Sequence, residues 1–412
     1  MTGTIDWKQA FAPRTERIKP SDIREFLKLL GQPGVISFAG GIPDPELFPV
    51  GPIREATTAI MNDPDLQAAA LQYAVSEGYR PLRQWLVDYM TTRGVTCDID
   101  NIVITTGSQQ ALDLLAKLFI SPGDTVLLSA PAYLGAIQAL EVYEPEYANL
   151  DDTTAEPGSA RLAYVVPDFS NPSGECLDTD QRHRLLDRVA ACNVPLIEDA
   201  AYESLRYDGT HQPSLQSLDI ARTGGIDQSR VIYCGTFSKT IAPGLRVGWI
   251  CAAREVVHKV VLTRQAADLH GSHLDQMILH RVVSRGFAAQ VQKILPVYRE
   301  RRDLMLAALE RYMPEGVSWV RPEGGMFIWL TLPEGLDSRE LLQVSLASEG
   351  IIFVPGSSFF TDGGGGRHIR LNYTKASPAI IEDGIRRLGA LITRQLTDAP
   401  VPIESEPAIP VM

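Results

Sequence analysis

The sequence predicts a two-domain α/β protein. A large domain carries a mostly parallel mixed sheet flanked by helices, and a smaller α+β domain follows it. Three observations predict this. The chain has 412 residues, more than one core usually serves. From residue 101 to about 251, near-continuous apolar strands alternate with helix-length stretches, as in a parallel sheet buried on both faces. Beyond a long helical stretch, 275–313, short strands and helices resume over 316–395.

The elements follow in order. Residues 1–20 are polar and mixed. "SDIREFLKLL" (21–30) reads as an amphipathic helix with Ser21 as its N-cap. Residues 31–49 are rich in Gly and Pro and read as extended loop. "GYRPLRQWLVDYMTTRG" (78–94) is helical. Then come the strand "NIVITTG", the helix "SQQALDLLAKLFI", the strand "DTVLLSAP" and the helix "AYLGAIQALEVY". "RLAYVVPDFSNPSG" is a strand and turn, "QRHRLLDRVAACN" a helix, and "VPLIEDAAY", "RVIYCGTFSK" and "RVGWICA" are strands. In the smaller domain, strands are expected in "GVSWVRPEGGMFIWLTL", "GIIFVPGSSFF" and "RHIRLNY", and helices near 338–349 and 377–396. The division expected is an N-terminal arm and mobile helix (1–50), a large domain (51–295), a small domain (296–396) and an extended Pro-rich tail (397–412).

Composition excludes several classes of function. A net charge of −12 argues against a nucleic-acid or anionic-membrane surface. No stretch reaches the ~18 apolar residues of a membrane span, and the N-terminus lacks the apolar core of a secretory signal. The five cysteines (97, 176, 192, 234, 251) are scattered and never spaced Cys-x-x-Cys, so neither a disulfide framework nor a zinc site is expected, and a reducing cytoplasm fits.

Ligands of such sheets bind beyond the carboxyl ends of the strands, and the unusual polar residues fall there. In "TTGSQQALDLL" (105–115) a strand meets a turn that opens a helix, whose first N–H groups favour an anion. In "DFSNPSG" (168–174), Asn171 is either a turn former or a hydrogen-bond partner for a phenolic oxygen. In "PLIEDAAYESL" (195–205), Glu198 and Asp199 point to opposite faces, so they are not a paired acid and base. Asp199 either caps the next helix or binds a cation such as a protonated ring nitrogen. In "CGTFSKTIAPGLRVGW" (234–249), Lys239 sits between two buried strands, where its charge is costly unless used. A lysine can form an imine with an aldehyde, and Ser238 and Arg246 suit a phosphate.

This succession resembles the fold-type-I aminotransferases of class I/II that use pyridoxal 5′-phosphate, and is most similar to the 2-aminoadipate aminotransferase and kynurenine aminotransferase II subgroup. "ISFAGGIPDPELFP", "ALQYAVSEGYRPLR", "ITTGSQQALDLLAK", "APAYLGAIQAL", "FSKTIAPGLRVGW", "DLHGSHLDQM", "RPEGGMFIWL" and "RLNY" carry the likeness, across roughly residues 15–395. The resemblance implies a transaminase with pyridoxal 5′-phosphate and no metal. Such an enzyme moves an amino group from an L-amino acid of the 2-aminoadipate, branched-chain or aromatic type to a 2-oxo acid such as 2-oxoglutarate, by a ping-pong route. Lys239 matches the lysine that condenses with the cofactor aldehyde and then moves the Cα proton. Asp199 matches the carboxylate on the pyridine nitrogen, Asn171 and Tyr202 the partners of the ring oxygen, and Tyr133 the stacking aromatic. Ser108, Gln109, Ser238 and Arg246 match the phosphate cup. Tyr73 matches a tyrosine reaching the neighbouring subunit's phosphate, which implies a homodimer with shared sites. Arg370 matches the arginine that grips the substrate α-carboxylate, and Gly41 a glycine beside it. Arg24 matches an arginine on the mobile helix that reads a distal carboxylate. Ser170 and Thr236 depart from the usual residues but keep the polar character.

Two rival readings are weighed beside it. One is a pyridoxal-phosphate β-lyase or decarboxylase on the same fold. The other is a regulator with a DNA-binding domain ahead of the match; the roughly 20 preceding residues and the acidic charge speak against it.

Overall fold

The computed structural model describes residues 4–18, 34–151 and 158–397. The expected helix at 21–30, and with it Arg24, lies outside them. Before the main sheet stand a short helix α1 (Trp7–Ala10), strand β1 (Ile36–Ser37), and helices α2 (Val50–Met61), α3 (Pro64–Leu71) and α4 (Arg80–Thr92).

Seven strands form the main sheet. They are β2 (Ile102–Thr105), β3 (Thr125–Leu128), β4 (Glu146–Asn149), β5 (Leu162–Val165), β6 (Leu196–Asp199), β7 (Val231–Thr236) and β8 (Gly248–Cys251). Their spatial order is β2-β8-β7-β6-β5-β3-β4. All neighbours run parallel except β8, which is antiparallel to both β2 and β7. The connecting helices are α5 (Ser108–Phe119), α6 (Leu134–Glu141), α7 (Thr179–Cys192), α8 (Leu215–Thr223) and α9 (Arg254–Gln265).

Strand alternation explains why these strands read as unbroken apolar runs. On one face Val103, Val126, Leu128, Leu162, Tyr164, Ile197, Ile232 and Ile250 pack under α5, α6 and α9. On the other, Ile102, Ile104, Tyr233 and Trp249 meet α4, while Leu127, Ala163, Val165 and Leu196 meet α7. Both faces are covered, so both alternating sets are apolar. β4 is the exception. It lies at the sheet edge with exposed Glu146 and Asn149, a pattern with no run of apolar residues to announce it. Helices α8 and α9 also go beyond the sequence expectation, since both mix polar with apolar residues.

Helix α10 (His273–Tyr312) leaves this region, with a non-helical residue at Gly286 and Pro296 within it. The remaining elements are β9 (Ser318–Trp319), β10 (Phe327–Thr331), α11 (Ser338–Val344), β11 (Ile351–Ile352), β12 (Val354–Pro355), β13 (His368–Asn372) and α12 (Pro378–Thr397). β12, β13, β10 and β9 form an antiparallel sheet. β1 reaches over to pair in parallel with β11. The expected boundary at 295/296 therefore falls inside α10.

Candidate active site

β2, β3, β5, β6 and β7 all end at one edge of the main sheet, and β8 begins there. The chain after each strand supplies one piece of a common pocket. Lys239 follows β7 in a tight turn. Its Nζ donates to the Gly41 carbonyl at 3.0 Å and lies 5.8 Å from the centre of the Tyr202 ring. Burial pushes its ionisation down to about 8; the Arg370 charge adds to this, and Asp199 opposes it.

Asp199 ends β6 and is buried. One carboxylate oxygen, Oδ2, accepts the Tyr164 hydroxyl at 2.8 Å. The other, Oδ1, is buried and has no hydrogen-bond partner among the described residues. Burial raises this carboxyl to about 6, against the pull of the Tyr164 hydroxyl, the Ala201 amide and the Lys239 charge. The helix-capping role weighed for Asp199 belongs instead to its neighbour. Glu198 faces the other way and accepts the Leu215 and Gln216 amides at 2.8 and 2.9 Å, at the start of α8. Burial raises Glu198 to about 7, opposed by the Arg182 charge and those two amides.

Arg370 sits on β13 and is 1% exposed. It is not the surface arginine that its strand position alone would suggest. One Nη donates to Asn171 Oδ1 at 2.6 Å and the other to the Ala39 carbonyl at 2.6 Å. Its guanidinium lies 4.2 Å from the Phe327 ring centre and 5.2 Å from that of Phe359. Its Nε has no partner, and no carboxylate pairs with it among the described residues. Burial lowers its ionisation to about 10. Asn171 uses its other end as well, donating Nδ2 to the Tyr202 hydroxyl at 3.4 Å.

At the far side of the pocket, Gly107 (φ +77°) turns the chain from β2 into α5, whose first amides have no helical acceptor. The Arg246 guanidinium occupies the space a side chain at 107 would need: its Nη2 is 2.7 Å from the position of a Cβ there. Arg246 also donates to the Pro243 and Thr106 carbonyls at 3.2 and 3.5 Å. Gly248 opens β8 against the same turn; a Cβ on it would stand 2.8 Å from the Gly107 carbonyl carbon and the Ser108 nitrogen. Ser108 is the first residue of α5, and Ser238 Oγ accepts from Thr236 Oγ1 at 2.9 Å nearby. Gln109 donates to the Gly135 carbonyl at 2.6 Å, tying α5 to the loop that carries Tyr133, the residue preceding α6.

A short stretch of the arm runs through the centre. Phe38, Ala39, Gly41 and Ile42 offer carbonyls to the Asn372 amide, Arg370, Lys239 and Thr374 respectively. Asp44 then binds Arg301 at 2.7 Å. A Cβ on Gly41 would stand 3.1 Å from the Phe327 ring.

Ser108, Gln109, Tyr133, Asn171, Asp199, Tyr202, Ser238, Lys239, Arg246, Arg370 and Gly41 thus gather along one edge. Tyr73 stands apart from them. It is 81% exposed and meets His270 edge-on at 5.9 Å. The residues that sequence reasoning missed are Tyr164, Phe327 and Phe359. Only Tyr164 left a trace, as a hydroxyl in the apolar run "LAYVV".

An amine, an acid and a guanidinium kept this far from water serve chemistry more than stability. With the strand-end location, they define an α/β enzyme that handles a small charged substrate. Comparison with known proteins narrows the class. The model of "Aminotransferase class I and II" matches residues 47–388. A 2-aminoadipate transaminase of Thermus thermophilus is 40% identical over 396 residues, covering 93% of this chain and 97% of its own. Two crystal structures superpose closely. The α-aminoadipate aminotransferase of Thermus thermophilus, complexed with N-(5′-phosphopyridoxyl)-L-leucine, gives a TM-score of 0.86 at 38% identity, over 95% of this chain and all of that one. A kynurenine aminotransferase of Pyrococcus horikoshii, in complex with PMP and kynurenine, gives 0.88 at 37% identity, over 95% and 98%. The chain belongs to the class I and II aminotransferase family. It is a transaminase of fold type I, it uses pyridoxal 5′-phosphate, and its substrates are amino acids and 2-oxo acids.

Proposed function

We propose that the enzyme moves the α-amino group of a 2-aminoadipate, branched-chain or aromatic L-amino acid to a 2-oxo acid, with 2-oxoglutarate as acceptor, and that the strand-end pocket is where it does so. The observation that carries this reading is the placing of Lys239 between an ionisable buried acid with a spare oxygen and a buried guanidinium with no counter-ion among the described residues. The pocket fits the cofactor. Asp199 Oδ1 suits a protonated ring nitrogen, and the Gly107 turn with Ser108, Gln109, Ser238 and Arg246 suits a phosphate. Tyr133 suits the ring face, and Asn171 and Tyr202 suit its oxygen.

When bound, the cofactor ring supplies an electron sink for the substrate Cα. The protein's own residues do the rest. Arg370 and Asn171, beside Gly41, bind the α-carboxylate and fix the Cα–H bond toward Lys239. Lys239 Nζ takes the Cα proton and later returns it, a task suited to an amine whose ionisation lies near neutrality. Phe327 and Phe359 exclude water around Arg370, so each of its hydrogen bonds counts for more. We assign Arg24 to a distal substrate carboxylate. We assign Tyr73 to the phosphate of a partner subunit, hence a homodimer; its exposure beside exposed Leu71 and Val75 supports a covered surface there. The division between a large domain (51–295) and a small one (296–396) is supported by the main sheet lying within 102–251 and the smaller one within 318–372; the expected tail lies, past Thr397, outside the described residues. A cytoplasmic location is supported by the five scattered cysteines, none of them in a disulfide among the described residues; no helix among those residues is long and apolar enough to cross a membrane.

The test is a pair of half-reactions. Holoenzyme mixed with L-glutamate or L-2-aminoadipate should lose its visible absorbance and release the matching 2-oxo acid. 2-Oxoglutarate should restore the absorbance. Lys239→Ala should turn over neither half. A fully active Lys239→Ala enzyme, or release of pyruvate and ammonia from a cysteine-type substrate with no amino acid formed from 2-oxoglutarate, overturns the reading.

A further inference from the structure

Tyr164 lies in the middle of β5, 0% exposed, in a strand whose other residues are apolar. A tyrosine hydroxyl so deep in a sheet needs a partner. It has one: the 2.8 Å hydrogen bond to Asp199 Oδ2 on the adjacent strand β6. That bond has two geometric effects. It commits one carboxylate oxygen, and so sets the rotation of the group about Cβ–Cγ. It leaves the second oxygen buried, without a partner, at the pocket end of β6. A carboxylate held this way, with the Ala201 amide also drawing on it, cannot swing its free oxygen elsewhere without leaving the tyrosine hydroxyl unsatisfied in the core, a costly state.

We propose that Tyr164 is a positioning residue for transamination: its hydroxyl fixes the Asp199 carboxylate and aims Oδ1 at the cofactor's ring nitrogen. The inference rests on the placement of that nitrogen against Asp199 given above. The charged and titratable groups around the pair are Lys239 and Cys234 from the β7 side, with Tyr133 and Tyr202 from the strand-end loops. Tyr164 is the side chain among the described residues that donates a hydrogen bond to Asp199, and the Ala201 amide also favours its charged form. Its own phenol is pushed well above its usual range by burial and by the Asp199 charge, so it stays a donor at every working pH. Burial works against Asp199 as an anion, and this hydrogen bond acts in the opposite sense.

The experiment compares two cofactors: pyridoxal 5′-phosphate, and its analogue with carbon in place of the ring nitrogen. Wild-type enzyme should bind the natural cofactor more tightly than the analogue. Tyr164→Phe, which removes one oxygen and keeps the ring, should lose roughly tenfold or more of that preference, with unchanged affinity for the analogue. The acidic limb of its kcat profile should move up by on the order of one pH unit, because Asp199 then ionises later. Equal losses with both cofactors would mark Tyr164 as packing only. An intact preference with an unmoved limb would also overturn the proposal. A wild-type enzyme with no preference would instead remove Asp199 from the ring nitrogen, and both readings would fall together. Should Tyr164→Phe not fold, 3-fluorotyrosine at position 164 supplies a stronger donor of the same reach. The acidic limb must then move to lower pH, and an unmoved limb overturns the proposal.

Discussion

Lys239 shows what burial does to one side chain. Below its ionisation point the amine is protonated and cannot attack an aldehyde; above it the amine is free. Because burial brings that point down to about 8, most of the gain in reactivity falls near neutral pH. The rate at which apoenzyme takes up pyridoxal 5′-phosphate should therefore climb through about pH 8 and level off above it, as read by stopped-flow absorbance. A rate still rising toward 10.5, the ordinary lysine value, would contradict the placement. Asp199 and Glu198 make the complementary point. Adjacent in sequence and alternating in direction, one carboxylate caps a helix while the other faces the pocket. Their opposite faces were legible from strand periodicity, but which one capped a helix was not. That depended on where α8 begins, and "SLQSLDIART" carries too few apolar residues to mark its start.

At the scale of elements, what was legible followed from contiguity. Ser238, Lys239 and Arg246 lie within nine residues, and the strand, turn and helix at 102–119 are consecutive, so their chemistry could be read directly. The Tyr164–Asp199 bond joins β5 to β6 and depends on their register, which no local pattern encodes. Phe327 and Phe359 reach Arg370 from separate segments of the smaller domain for the same reason. The turn between β2 and α5 offers a direct test of element packing. Gly248→Ala would place a methyl 2.8 Å from two backbone atoms of that turn and 2.9 Å from the Gly235 carbonyl. None of these is a side chain that could swing aside. Overpacking of this kind costs about 1–3 kcal/mol. Thermal unfolding should show that loss, and the dissociation constant for the cofactor should rise with it, because the displaced amides are those proposed to hold the phosphate. An unchanged melting temperature and unchanged affinity would show that the turn tolerates displacement.

For the whole molecule, the exposed apolar groups say how much of the chain's surface is meant to be covered. Leu71 is 66% exposed, Tyr73 81% and Val75 59%, in one short run. Sedimentation should give the mass of two chains, and Leu71→Asp with Val75→Asp should shift the protein toward one. A wild-type monomer would contradict the shared site. The arm that crosses the pocket has a consequence of its own. Its carbonyls are stitched to Asn372, Arg370 and Thr374, while the Gly41 carbonyl accepts from Lys239. On the role proposed for Lys239, once that amine turns to the cofactor, Gly41 loses its donor and one thread of the seam goes slack. On that role, charging the enzyme with its vitamin-derived group is felt directly by the arm's backbone.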